Sequence, residues 1–311
     1  MPASLRALLE RSIDYAGMFP PCSLELEPAL NNQAEYARSP DAWMLSTFVL
    51  PVAQLEAAAK NLSQFDQKHP LRVSALGPKI ENANSFIDAL KTATQAIRSL
   101  QTQHVDLVLV NQLEMALPVR AGLAVDADVG LLNDARSIIG DLKLQAFWEV
   151  PADAAEQTID LLAAHNSKTK ATAFGFKLRT GGVTADAFPS SIQIARALIA
   201  AVKHHVPIKF TAGLHHPVRI FRDEVQTKMY GFLNVLGAGV LAAEHQWAEQ
   251  QTVAMLEDED VAAFSFHDTI FAWREWEITM DRIKARRKLV TSFGSCSFDE
   301  PREDLRALNF L

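Results

Sequence analysis

Cysteine is nearly absent from this chain: two residues in 311, Cys22 and Cys296, far apart and in no CxxC pattern. That excludes a disulfide framework and a thiolate zinc module, and fits a reduced, cytoplasmic protein. Positive charge is not in excess either. The formal net charge is -7 and the pI about 5.7, so no basic face for nucleic acid is expected. The densest basic run, "RIKARRK" (282–288), falls in an amphipathic stretch and reads as a solvated helix face. Long hydrophobic runs are missing. The longest, "GFLNVLGAGVLAA" (231–243), is too short to span a bilayer. The opening "MPASLRALLERS" mixes both charge signs and lacks the apolar centre of a signal peptide. There is no internal repeat, low-complexity tract or linker. HxH and HExxH spacings do not occur.

What is present is a rhythm. Short apolar, β-rich runs stand at 12–19, 43–50, 71–76, 105–110, 144–150, 171–178, 206–212 and 289–294. Amphipathic helical patterns lie between most of them, at 51–62, 81–100, 153–165 and 190–205. Strand then helix, repeated, predicts parallel strands joined by crossover helices. Eight such strands close a TIM (β/α)8 barrel in a single domain, 1–311. Residues 214–288 exceed what one crossover needs. They carry a long helical pattern (224–247), the acidic "EDED" (257–260) and a hairpin-like stretch turning near His267 and Asp268. The expectation is a helix-plus-hairpin insertion between the seventh and eighth strands. It would cover the mouth as a lid or contact a second copy in a homo-oligomer, with Trp247, Trp273 and Trp276 in its core.

Two lysines end two successive interior strands: Lys177 in "GFKLRTGG" and Lys209 in "PIKFTAGL". A lysine in an apolar interior is costly unless paired, neutral or functional. In a barrel, the C-terminal strand ends surround the active site. Those ends supply Asp14, Asp106, Glu149, Lys177, Arg179, Lys209 and Thr211. A neighbouring ammonium and partial burial lower a lysine pKa, and a neutral lysine attacks a carbonyl to form an imine. An aspartate such as Asp106 then moves the proton. The competing reading is structural: both lysines simply paired with Asp106 and Glu149.

In their order along the chain these motifs resemble deoxyribose-phosphate aldolase, a class I (Schiff-base) aldolase with a TIM barrel. That family's imine strand reads roughly "FIKTSTG", which puts the nucleophile on Lys177. Its next strand reads "GxKxAGG", which puts the tuning lysine on Lys209. Its "VDxV" strand matches "HVDLVLV" and Asp106. A fifth strand ending in glutamate matches Glu149, and "xDLT" matches "IDYAG" and Asp14. The resemblance implies a carbon–carbon lyase acting on a small aldehyde or keto substrate, phosphorylated or not, without a cofactor. Its phosphate turn "FGASS" matches "SFGSCSF", which implies anion contacts at Gly294, Ser295 and Ser297, joined by Gly181, Gly182 and Gly213. The chain departs from the family at Ala212, Arg179 and Cys296, and in the long 214–288 segment. "YAGMFPP" and "FGSCSFDEP" also resemble uncharacterised bacterial proteins.

Several of these residues carry a second reading. Thr180-Gly181-Gly182 reads equally as a plain strand-to-helix turn. Ser297 or Asp299 reads as a helix cap, and Cys296 as packing. His215 and His216 follow the seventh strand, a place for an acid/base, a substrate contact at His215, or a metal-dependent lyase or hydrolase with Glu149, Asp106 or His267. A barrel that only binds a small anion is the non-enzymatic alternative.

Overall fold

A computed structural model describes residues 1–119 and 125–311. After helix α1 (Ala3–Leu9), strand and helix alternate in six units. These are β1 (Ile13–Tyr15) with α2 (Leu26–Tyr36), β2 (Leu45–Pro51) with α3 (Leu55–Ala59), and β3 (Leu71–Leu76) with α4 (Ala83–Gln103). Then come β4 (Val108–Ala116) with α5 (Val129–Ile139), β5 (Gln145–Glu149) with α6 (Ala155–Asn166), and β6 (Gly175–Arg179) with α7 (Ser191–His204). The seventh barrel strand, β7 (Ile208–Thr211), is followed by a small hairpin, β8 (Ile220–Arg222) and β9 (Thr227–Met229). Next are α8 (Phe232–His245), α9 (Glu249–Glu257), and the antiparallel strands β10 (Phe264–Phe266), β11 (Ile270–Trp273) and β12 (Trp276–Thr279). Helix α10 (Met280–Arg286), β13 (Val290–Ser295) and α11 (Asp299–Ala307) complete the chain.

Among the described residues, β1 to β7 and β13 form one closed, all-parallel barrel in chain order, with β1 pairing both β2 and β13. Each barrel strand is followed by a helix, the (β/α)8 pattern. Local chemistry sets the helix ends. Reciprocal capping boxes, Asn82 with Ser85 and Ser190 with Gln193, start α4 and α7. Along α7, Ile194, Ala195, Ala197, Leu198 and Ala201 are buried at helical spacing, and His205 stops the helix in the left-handed conformation at φ 53°. Helix α8 is apolar on every face because it is covered on every face, by β13 inside and by α9 and β12 outside. That accounts for the apolar run at 231–243. No helix among the described residues is long and apolar enough to cross a membrane.

The segment between β7 and β13 is placed differently from the expectation. Helix α8 is itself the helix of the seventh unit and packs on α7 and β13. The predicted hairpin turns at residues 267–269 but gains a third strand, β12. This sheet meets α1, with Ser4 N donating to His267 O at 3.1 Å, and α10 also packs on α1. Helices α1 and α10 lead into the N-terminal ends of β1 and β13, so this part lies on the side away from the mouth. Trp247 packs edge-on against Trp273 and Trp276, with centroids 5.6 and 5.2 Å apart. The three tryptophans fasten the sheet to the end of α8 rather than forming a lid.

Candidate active site

All eight barrel strands send a polar side chain into one connected cluster. Lys177 on β6 and Lys209 on β7 are register neighbours. The Lys177 Nζ donates to Glu114 Oε2 and Glu149 Oε2, both at 2.8 Å. The Lys209 Nζ donates to Asp14 Oδ2 at 2.8 Å, Glu114 Oε1 at 2.5 Å and Gln112 Oε1 at 2.7 Å. Hydroxyls complete the carboxylates. Thr47 and Ser292 donate to Asp14 at 2.6 and 2.5 Å, and Ser74 donates to Glu114 at 2.5 Å. Glu114 therefore bridges the two ammoniums from the barrel axis.

Burial in this cluster is graded. Asp14 is 0 % exposed, Lys209 1 %, Glu114 2 % and Lys177 5 %, while the Glu149 side chain is 27 % exposed. Burial by itself would raise the Glu114 carboxyl, but Lys177 and Lys209 together hold it well below the usual carboxylate range. Burial would likewise lower both lysines, yet Glu114 and Glu149 push Lys177 above its ordinary value, and Asp14 and Glu114 do the same for Lys209. The expectation that one ammonium lowers the other is thus corrected. A carboxylate stands between them and its attraction outweighs their repulsion.

The sequence pattern does not single out Glu114, and the structure places Asp106 outside the cluster. The apolar run "VDLVLV" suggested a strand over 105–110, but β4 starts at Val108 and continues to Ala116. Asp106 precedes β4 on the N-terminal side, exposed, at φ 67°, accepting from Gln67 Nε2 at 3.2 Å. It is not part of the cluster. A β-bulge separates the two halves of β4: pairing moves from Val73 with Val110 to Ser74 with Gln112. An extra residue reverses which face of a strand points inward. Past the bulge, Gln112 and Glu114 reach Lys209. The available signal was "NQLE", two hydrogen-bonding residues and an acid directly after an apolar run.

Above the cluster a cavity of about 430 Å³ opens at the C-terminal strand ends. Its lining includes Glu149, Lys177, Arg179, Thr211, His215 and Cys296; Lys209 lies beneath. Of the 214–288 segment, only His215 lines it. The walls come instead from the loops after β1 (Phe19, Pro20, Pro21), β3 (Gly77, Pro78, Lys79) and β6 (Gly182, Val183). Gly182, Gly213 and Gly294 line the cavity, as does Arg179. Gly181 does not; it is where two backbones touch. A Cβ there would lie 2.9 Å from the Gly213 Cα, and Gly213 itself adopts φ 76°. Ser295 is buried beside Tyr15 on β1. Ser297 caps α11, its Oγ accepting from Glu300 N at 3.1 Å, which is the capping role rather than an anion contact.

The histidines both turn to α11. His215 Nδ1 lies 2.9 Å from Glu300 Oε2, and His216 Nδ1 2.6 Å from Asp304 Oδ2. His267 N donates to Ser4 Oγ of α1 at 3.2 Å, and Asp106, before β4, accepts from Gln67, so neither joins Glu149 and His215 around one point. Among the described residues no group of three or more His, Cys, Asp or Glu side chains is arranged to hold a metal ion. Compared with known proteins, no family model matches this chain and no curated protein matches it.

Proposed function

We propose that this barrel is an aldolase-like carbon–carbon lyase that forms a Schiff base between Lys177 and a small aldehyde or ketone. The observation that carries this reading is the position of Lys177 Nζ. It sits on the cavity floor, 2.8 Å from each of two carboxylates, one of which opens to the cavity. The resting lysine is an ammonium, so the amine is made on the spot. Glu149 takes a proton from Nζ, and the free amine adds to the carbonyl carbon. The carbinolamine oxygen takes the proton back and leaves as water. The resulting iminium accepts the electron pair of the substrate's Cα–Cβ bond as it breaks, giving an enamine, while the β-hydroxyl proton passes to Glu149 and that carbon leaves as a carbonyl; protonation of the enamine and addition of water then free Lys177. Lys209 and Glu114, closed off below, hold Lys177 and the cluster charge in place. Arg179, Lys79 and His215 around the cavity suit a carboxylate or phosphate on the substrate.

Sodium borohydride trapping with short aldehydes and ketones, with and without phosphate, tests the proposal. A reduced adduct on Lys177, abolished in a folded Lys177→Met variant, is expected. An adduct on Lys209, or none from the folded protein, refutes it. The raised Lys177 pKa favours a second reading, a barrel that binds a small anion without chemistry. Anion binding by calorimetry, weakened by Arg179→Met and unaccompanied by any adduct, would select that one.

A further inference from the structure

The two cysteines, separated by 273 residues of chain, meet at the cavity mouth. Cys22 Sγ and Cys296 Sγ are 2.7 Å apart, and both thiols are free. Cys296 directly follows β13, is buried, and lines the cavity. Cys22 is exposed on the loop after β1 that supplies Phe19, Pro20 and Pro21 to the cavity wall. That loop is folded on itself, with Ser23 N donating to Phe19 O at 3.0 Å and Leu24 N to Gly17 O at 2.9 Å. It is also tied to β13 by Ala16 N donating to Ser295 O at 2.7 Å. Both sulfurs are thus presented from anchored backbone. A disulfide needs them at about 2.0 Å, less than one ångström closer.

We propose that Cys22 and Cys296 are a redox-modified dithiol site, oxidised by a low-molecular-weight disulfide to an intramolecular disulfide that clamps the β1 loop over the cavity. Exposed Cys22, as thiolate, attacks one sulfur of the small disulfide and expels one small thiol. Cys296 then loses its proton, attacks the Cys22 sulfur and expels the second. Two protein S–H groups and one S–S bond become one protein S–S bond and two small thiols, so the protein loses two hydrogens. The order follows from exposure, and burial with the Cys22 hydrogen bond pushes the Cys296 thiol up to about 12, which suits it to the second step. The proposal does not depend on the Lys177 chemistry.

The test uses the full chain, native, incubated with glutathione disulfide, quenched in acid, alkylated and weighed. The expected product has lost two hydrogens, carries no alkyl group, yields one linked peptide containing Cys22 and Cys296, and reverts with dithiothreitol. Cys296→Ser should instead stop with one glutathionyl group on Cys22. The same mixed disulfide accumulating in the unsubstituted protein, unreacted thiols, or a disulfide between two chains would overturn the proposal. The clamp is read by amide hydrogen exchange over residues 16–24. Slowing of roughly tenfold or more on oxidation is expected for a locally opening loop, and unchanged exchange would overturn the clamping.

Discussion

Replacing Glu114 by glutamine should be the most damaging near-isosteric change in this barrel. The carboxylate accepts from two ammoniums, at 2.8 and 2.5 Å, and from Ser74. A glutamine offers one oxygen to one lysine and turns its NH2, a donor, toward the other. Breaking a buried ion pair while leaving its partner charged costs about 3–5 kcal/mol. Unfolding entropy of about 2.1 cal/mol/K per residue over 311 residues is ~0.65 kcal/mol/K, so the Tm should fall by roughly 5–8 °C. Glu149→Gln, at a group 27 % exposed to solvent, should cost about 1 kcal/mol or less. The pH dependence gives a second readout. Glu114 titrates below its ordinary value of 4.5 when folded. Its contribution is therefore complete above that value and lost as the pH falls toward the folded one. Lys177 and Lys209 titrate above their ordinary 10.5. Their contributions are complete below 10.5 and lost as the pH rises through the folded values. Glu114→Gln should flatten the acid limb of the Tm profile. Thermal melts by circular dichroism from pH 3 to 11 measure both effects. A Tm within about one degree of the unsubstituted protein at pH 7, where ~5 °C or more is expected, would refute the bridging role.

Lys209→Met removes the cation shared by Asp14 and Glu114 and should cost about 3–5 kcal/mol. Its acid unfolding midpoint should move to higher pH, and an unmoved midpoint in acid titration would contradict this. Gly213→Ala puts a Cβ in a φ of 76° and 2.9 Å from the Gly181 Cα. A loss of about 1–3 kcal/mol in urea unfolding is expected, and a neutral result would mean that the two loops separate freely. Asp106→Asn, exposed and before β4, should change stability by no more than about 0.5 kcal/mol and leave borohydride trapping unchanged; a clear loss of trapping would return Asp106 to the chemistry.

Much of the architecture was readable along the chain. Runs such as "LRVSAL" and "SSIQIARALIAAVKHH" carry strand and helix periods that depend only on near neighbours, and their alternation implied the barrel. Lys177 and Glu149 stood out because a charge at the end of an apolar run is a local anomaly. What failed did so for geometric reasons. The apolar run at 105–110 predicts a strand that holds Asp106, but the strand starts beyond Asp106 and runs on through Glu114. The bulge that turns Glu114 inward shows only in pairing with β3. Residues 263–278 read as hairpin-like, but nothing in their own pattern says which end of the barrel they meet; contact with α1, more than 250 residues away, decides it.

By itself, then, the amino-acid sequence determined the order and kind of elements, and marked two lysines as needing a reason. Periodicity acts over a few residues and survives any arrangement of the rest. Barrel closure alone decided that Glu114 lies between those lysines, that their pKa values rise instead of falling, and that Cys22 faces Cys296. Each depends on distances of a few ångströms between β1, β4, β6, β7 and β13, and electrostatics and thiol chemistry act at that range.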